Sequence, residues 1–125
     1  MKILLVDDNE DITTMFSKYF NMKGHNCSVF NDGHNALNAI KNNQYDIVLL
    51  DLAMPDFTGK DIVENLAKTN KINKINIVAL TASSISSDDE ELLKGKGVHS
   101  ILKKPIDPDQ LLDYLQQFDR KAIHQ

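Results

Sequence analysis

The sequence predicts a doubly wound α/β domain: a five-stranded parallel sheet in strand order 2-1-3-4-5, with five helices on its two faces. Three observations carry this expectation. The apolar runs at residues 3–6, 47–50 and 77–80 are continuous rather than alternating, as strands buried on both faces must be. Segments of helical periodicity separate them, so strands and helices alternate along the chain. Two further strand-like segments, 27–30 and 99–102, mix polar and apolar residues and suit the edges of the same sheet.

The first strand, ILLV at 3–6, runs into Asp7 and Asp8. Ile12, Met15, Phe16, Tyr19 and Phe20 then recur at helical spacing, with Gly24 as the stop signal. After the second strand, Asp32 and Gly33 open a helix marked by Ala36, Leu37 and Ile40. The third strand ends in Asp51, and Ile62, Val63 and Leu66 mark the helix that follows. The fourth strand ends in Thr81. Its helix is expected from Ser87 to about residue 94, with Ser87 and Glu90 as a capping box. Acidic residues in the first turn and Lys94 in the last complement the helix dipole. Leu92 and Leu93 are its strong apolar anchors, and Gly95 and Gly97 follow. The fifth strand leads to Lys103, Lys104 and Pro105. Asp107 caps the last helix, Pro108 takes its first position, and Leu111, Leu112, Leu115 and Phe118 form its core stripe. The expected organisation is one domain over 1–120 and a short tail at 121–125, with no output domain.

A chain of 125 residues can bury one proper core. The net charge of −4 supplies no basic surplus to displace counterions from nucleic acid, so direct DNA binding is not expected. Arg120 is the sole arginine, which removes a guanidinium fork from the body of the domain. The single cysteine, Cys27, excludes an internal disulfide and a cysteine-rich zinc site, and is read as a small buried strand residue. No run approaches the ~20 apolar residues of a membrane span, and the N-terminus does not read as a signal peptide. A cytoplasmic location is expected.

In open parallel sheets, ligands bind beyond the carboxyl ends of the strands. Asp7 and Asp8, Asp51, Thr81 and the Lys103-Lys104-Pro105 segment therefore meet at one rim, while Asn31-Asp32 leave from an edge strand. Three carboxylates at one site repel, and a divalent cation resolves the conflict. An all-oxygen donor set selects Mg2+ or Mn2+ over softer metals. A carboxylate beside such an ion can attack a phosphoryl group, with metal and lysine neutralising its oxygens and Thr81 donating a hydrogen bond.

LLVDDN at 4–9, LLDLAMPDFTG at 49–59, ALTA at 79–82 and LKKP at 102–105 together resemble the receiver domains of response regulators, the CheY-like family. The resemblance covers essentially the whole chain and implies a stand-alone receiver with the flavodoxin-like fold. It implies Asp51 as phosphoacceptor. It implies Mg2+ ligated by Asp8, Asp51 and the backbone carbonyl of Ala53, with Asp7 acting mostly through metal-bound water. Thr81 would be the switch hydroxyl, and Lys104 would pair with the carboxylate and then the phosphate, its neighbour Lys103 being solvated. Pro55 and Gly59 would shape the loop after Asp51, Gly59 through its backbone freedom. Pro105 would be a cis-proline that aims Lys104 inward.

The phosphoryl group would come from a histidine kinase or a histidine phosphotransfer protein. The chain would catalyse that step and slow hydrolysis, without turning over a metabolite. The signal would reach a partner protein through the face of the fourth helix, fifth strand and fifth helix. Ile101 stands where many receivers carry an aromatic residue, so readout relies on backbone shifts or another side chain. His99 reads as a surface or edge-strand histidine. The fourth helix has few apolar anchors and is expected to shift on phosphorylation.

Three other readings fit less well. A haloacid dehalogenase-type phosphatase would need its second aspartate two residues on, and a cap insertion. A flavin or nucleotide binder would need a glycine- or hydroxyl-rich loop where residues 7–11 are acidic. A pseudo-receiver that is never phosphorylated is the alternative in function, against which the intact acidic set argues.

Overall fold

The continuous apolar runs become central strands because each must bury side chains on both faces of the sheet. The computed structural model describes residues 1–119. Its strands are Lys2–Val6 (β1), Asn26–Phe30 (β2), Ile47–Asp51 (β3), Ile77–Thr81 (β4) and Ser100–Lys103 (β5). All pair in parallel, in the predicted order β2-β1-β3-β4-β5. Between them run helices Glu10–Met22 (α1), Gly33–Asn42 (α2), Gly59–Lys68 (α3), Ser87–Lys96 (α4) and Pro108–Leu115 (α5). The expected domain end at 120 and the tail at 121–125 lie outside the described residues, as does Arg120.

Side-chain alternation along the strands divides the interior into two cores. Ile3, Leu5, Ile47, Leu49, Val78 and Leu80 face α1 and α5, where they meet Phe16, Phe20, Leu111 and Leu115. Leu4, Val6, Val48, Leu50, Ile77 and Ala79 face α2, α3 and α4, and pack with Ile40, Ile62, Leu66 and Leu93. Each fully buried Leu or Ile contributes about 1.5–3 kcal/mol over an exposed one. Two such layers hold the sheet rigid beneath its loops. The edge strands β2 and β5 are only partly buried, which is why their sequences mix polar and apolar residues.

Several expectations need correction. Ser86, not Ser87, caps α4, its hydroxyl accepting the Asp89 N–H at 3.1 Å. The helix runs through Gly95 to Lys96 and is closed by Gly97, whose φ of +121° is one L side chains rarely adopt. Leu92 is not an anchor: it is 56% exposed, and Leu93 alone is buried. Met15 of α1 is likewise exposed on the side away from the sheet. Phe118 is buried but belongs to a 3-10 turn, Gln116–Phe118, that follows α5. His99 is a surface histidine as expected, exposed just before β5, and it meets the Phe118 ring edge-on at 4.8 Å. Cys27 is half-buried on an edge strand, and burial pushes its thiol up to about 12.

Candidate functional site

Strand register brings the acidic residues together. Val6 pairs with Leu50, so Asp7 and Asp51 are the next neighbours across β1 and β3. Both are buried, at 1% and 5% exposure, while Asp8 stands exposed beside them. Asp8 is free of helix capping, because the Asn9 side chain takes that role by accepting the Ile12 N–H at 3.1 Å. One carboxylate oxygen from each of Asp7, Asp8 and Asp51 lies within 4.8 Å of the others.

Lys104 enters from the far side of the sheet. Its backbone N–H donates to the Thr81 carbonyl at 2.7 Å, fixing the segment after β5 against the end of β4. Its ammonium lies 2.5 Å from Asp7 Oδ2 and 3.6 Å from Asp51 Oδ2. The Lys104–Pro105 peptide bond is cis. Lys103 is exposed and reaches only the Ser84 hydroxyl, at 3.3 Å.

Backbone donors hold both buried carboxylates in place. Asp7 Oδ1 accepts the Asn9 N–H at 2.9 Å, and Asp51 Oδ1 accepts the Ala53 N–H at 3.1 Å. Burial is the main cause that raises the Asp51 pKa from its ordinary value. The Ala53 N–H works against that shift, the Asp7 charge adds to it and Lys104 opposes it. An excess of negative charge at a buried site is what a hard divalent cation relieves. The all-oxygen donors of Asp7, Asp8 and Asp51 fit such an ion. Thr81, 6% exposed at the end of β4, donates its hydroxyl to the Ser83 carbonyl at 2.9 Å.

The loop after Asp51 is clamped from two directions. A Cβ on Gly59 would sit 2.2 Å from the Asp51 carbonyl oxygen, so the start of α3 rests directly on the end of β3. Glycine is therefore required there for close approach; Gly59 is not among the residues with positive φ, which corrects the expectation of unusual backbone angles. On the other side, a Cβ on Gly33 would meet the Phe57 carbonyl at 2.1 Å, and the His34 ring stacks on Phe57 at 4.3 Å. Thr58 and Asp61 form a reciprocal capping box that starts α3. Pro55 and Ala53 lie exposed within this loop.

Sequence reasoning missed Asn31. It set the end of β2 aside as remote, yet the Asn31 amide donates to the Asp7 carbonyl at 2.8 Å and to the Thr13 hydroxyl at 3.0 Å. The available signal was strand order, since β2 lies next to β1 and its exit must pass Asp7. Ile101 is half-buried and packs on the core beneath α2–α4, where Ile85 also lies.

A family model described as the response regulator receiver domain matches residues 3–116. The transcriptional regulatory protein CpxR of Klebsiella pneumoniae is 32% identical over 121 residues, which is 97% of this chain and 50% of that protein. The chain thus spans about half the length of the first curated relatives it matches. The receiver domain of the Francisella response regulator 1452 superposes with a TM-score of 0.84 at 27% identity, covering 97% of this chain and 98% of that one. The Thermotoga maritima response regulator TrrA, solved in complex with Mg2+ and BeF, gives 0.78 at 27% identity, covering 94% and 99%. Fold, order of strands and family match agree: the chain belongs to the response regulator receiver domain family.

Proposed function

We propose that the chain is a phosphorylation switch in a two-component pathway, accepting a phosphoryl group on Asp51 from a histidine kinase or a histidine phosphotransfer protein. The observation that carries this reading is the convergence of buried Asp7 and Asp51, exposed Asp8 and the Lys104 ammonium at the carboxyl ends of three strands. Asp7, Asp8, Asp51 and the Ala53 carbonyl would hold Mg2+, or Mn2+. When bound, the ion supplies positive charge that offsets the carboxylates and the incoming phosphoryl oxygens.

The chain's own residues do the rest. The Ala53 N–H orients the Asp51 carboxylate, leaving its other oxygen on the Lys104 side. That carboxylate attacks the phosphorus of a phosphohistidine; the P–O bond forms as the P–N bond breaks, and the imidazole leaves. Lys104, already between Asp7 and Asp51, turns to the new phosphate. Thr81 exchanges the Ser83 carbonyl for a phosphoryl oxygen, which frees the segment before α4 to move. The signal then passes to a partner protein through α4, β5 and α5, in the cytoplasm. Among the described residues no helix is long and apolar enough to cross a membrane.

The test is to incubate the protein with Mg2+ and acetyl phosphate and measure its intact mass beside Asp51→Asn. The expected result is one phosphoryl group on the wild type and none on the variant. No addition, from acetyl phosphate or from phosphohistidine donors, would make the chain a pseudo-receiver that binds partners without the chemistry.

A further inference from the structure

At the opposite end of the sheet, where the strands begin, the surface carries the reverse charge. A groove of about 590 Å3 opens between the start of β1, the end of α2 and the 3-10 turn Ile72–Lys74. Lys2, Lys41, Lys71 and Lys74 line it, with Tyr45 and a single carboxylate, Asp46. Four ammonium groups against one carboxylate is a local surplus of positive charge in a chain of net charge −4, so composition does not account for it.

The groove is organised rather than merely basic. The Asp46 carboxylate accepts the Lys2 backbone N–H at 2.7 Å, the Asp46 N–H donates to the Lys2 carbonyl at 2.8 Å, and the Asn76 amide donates to the Asp46 carbonyl at 3.0 Å. These bonds fix the floor at the start of β3. The Lys2 ammonium sits over the Tyr45 ring, 5.0 Å from its centroid. Lys41, Lys71 and Lys74 are exposed and enter none of the ion pairs found among the described residues. Their charges remain available to a ligand.

We propose that this groove binds a small polyanion of nucleotide size, a ligand carrying two or more phosphate groups. The volume lies within the ~300–1,000 Å3 of small-molecule sites. Compact ammonium charges on flexible stems suit clustered phosphates, which need no fixed fork geometry. The site is independent of Asp51 chemistry. It lies at the far end of β1 and β3, and the acidic rim around Asp51 repels the same ligand when no metal is present.

Calorimetric titration of the full chain in Mg2+-free buffer at low ionic strength tests the proposal, with tripolyphosphate, ATP, adenosine and oligoglutamate as probes. Saturable one-to-one binding of tripolyphosphate or ATP, with none of adenosine, is expected. Tighter binding of ATP would identify the ligand as a nucleotide, and equal binding as a polyphosphate. The triple variant Lys41→Gln, Lys71→Gln, Lys74→Gln should bind at least tenfold more weakly while still accepting a phosphoryl group on Asp51. Amide shifts on titration of the wild type should map to residues 41–46 and 71–76, a readout that stands even if the variant fails to fold. Absence of saturable binding, shifts elsewhere, or unchanged affinity in a folded variant would overturn the proposal. Tighter binding of oligoglutamate than of either phosphate probe would also overturn it, in favour of an acidic protein segment.

Discussion

Two buried carboxylates side by side are a standing cost, and at Asp7 and Asp51 a single lysine and two backbone N–H groups offset it. These side chains were legible in the sequence because strand ends are, and the sheet order brings strand ends together. What was not legible was the support beneath them. Gly59 was expected to matter for backbone freedom, whereas it matters because α3 starts against the Asp51 carbonyl. That distance depends on how a loop closes in space, which residue spacing does not encode. Asn31 escaped notice for a different reason: the predicted strand order already set the exit of β2 beside Asp7, but an edge strand was read as remote from the site. Gly59→Ala should therefore push α3 away from β3 and destabilise the protein by about 1–3 kcal/mol, the usual cost of overpacking. Urea denaturation would measure it. Phosphorylation from acetyl phosphate should also slow, since the loop carries Ala53, whose N–H orients Asp51. A variant as stable and as reactive as the wild type would show that the contact relaxes freely.

Among the elements, α4 is the least anchored. Its buried contacts come from Leu93, and Lys96 ties it to α3 through an ion pair with Glu64. An exposed ion pair between Lys94 and Glu90 adds only a few tenths of a kcal/mol. The sequence placed this helix correctly but misjudged both ends, because Ser86 and Ser87 are equally good caps and Gly95 resembles a stop signal. Burial of Leu93 and the turn at Gly97 decide the outcome, and both depend on α3 and the Ile72 side chain beneath. A helix held by one leucine opens at low free-energy cost, as moving elements must. Phosphorylation of Asp51 should thus change amide exchange most within residues 84–98, with the Thr81–Ser83 bond as the link to the site. Protection there should differ by a factor of several, while the amides of β1 and β3 stay unchanged. Identical exchange in both states would remove α4 from the switch.

At the scale of the whole molecule, the sheet is electrically polar: carboxylates crowd its carboxyl rim and lysines its amino rim. Negative charge gathered at the buried rim opposes folding, and this sets the final expectation. The Asp51 pKa is raised in the folded state, chiefly by burial, so its ionised form is less favourable folded than unfolded. The cost is absent below the unfolded pKa and is fully present once pH exceeds the folded one. Asp51→Asn should therefore stabilise the metal-free protein at neutral pH, by about 0.5–2 kcal/mol or roughly 2–6 °C in Tm. The gain should fade as pH falls through the carboxylate range. Mg2+ at ~100 times its Kd should add about 2.7 kcal/mol to the wild type and distinctly less to the variant, whose site has lost a ligand charge. Thermal melts at pH 4 and pH 7, each with and without Mg2+, separate these terms. A variant less stable than the wild type at pH 7 without metal would mean that Lys104 outweighs the repulsion. Equal stabilisation of both proteins by Mg2+ would place the ion away from Asp51.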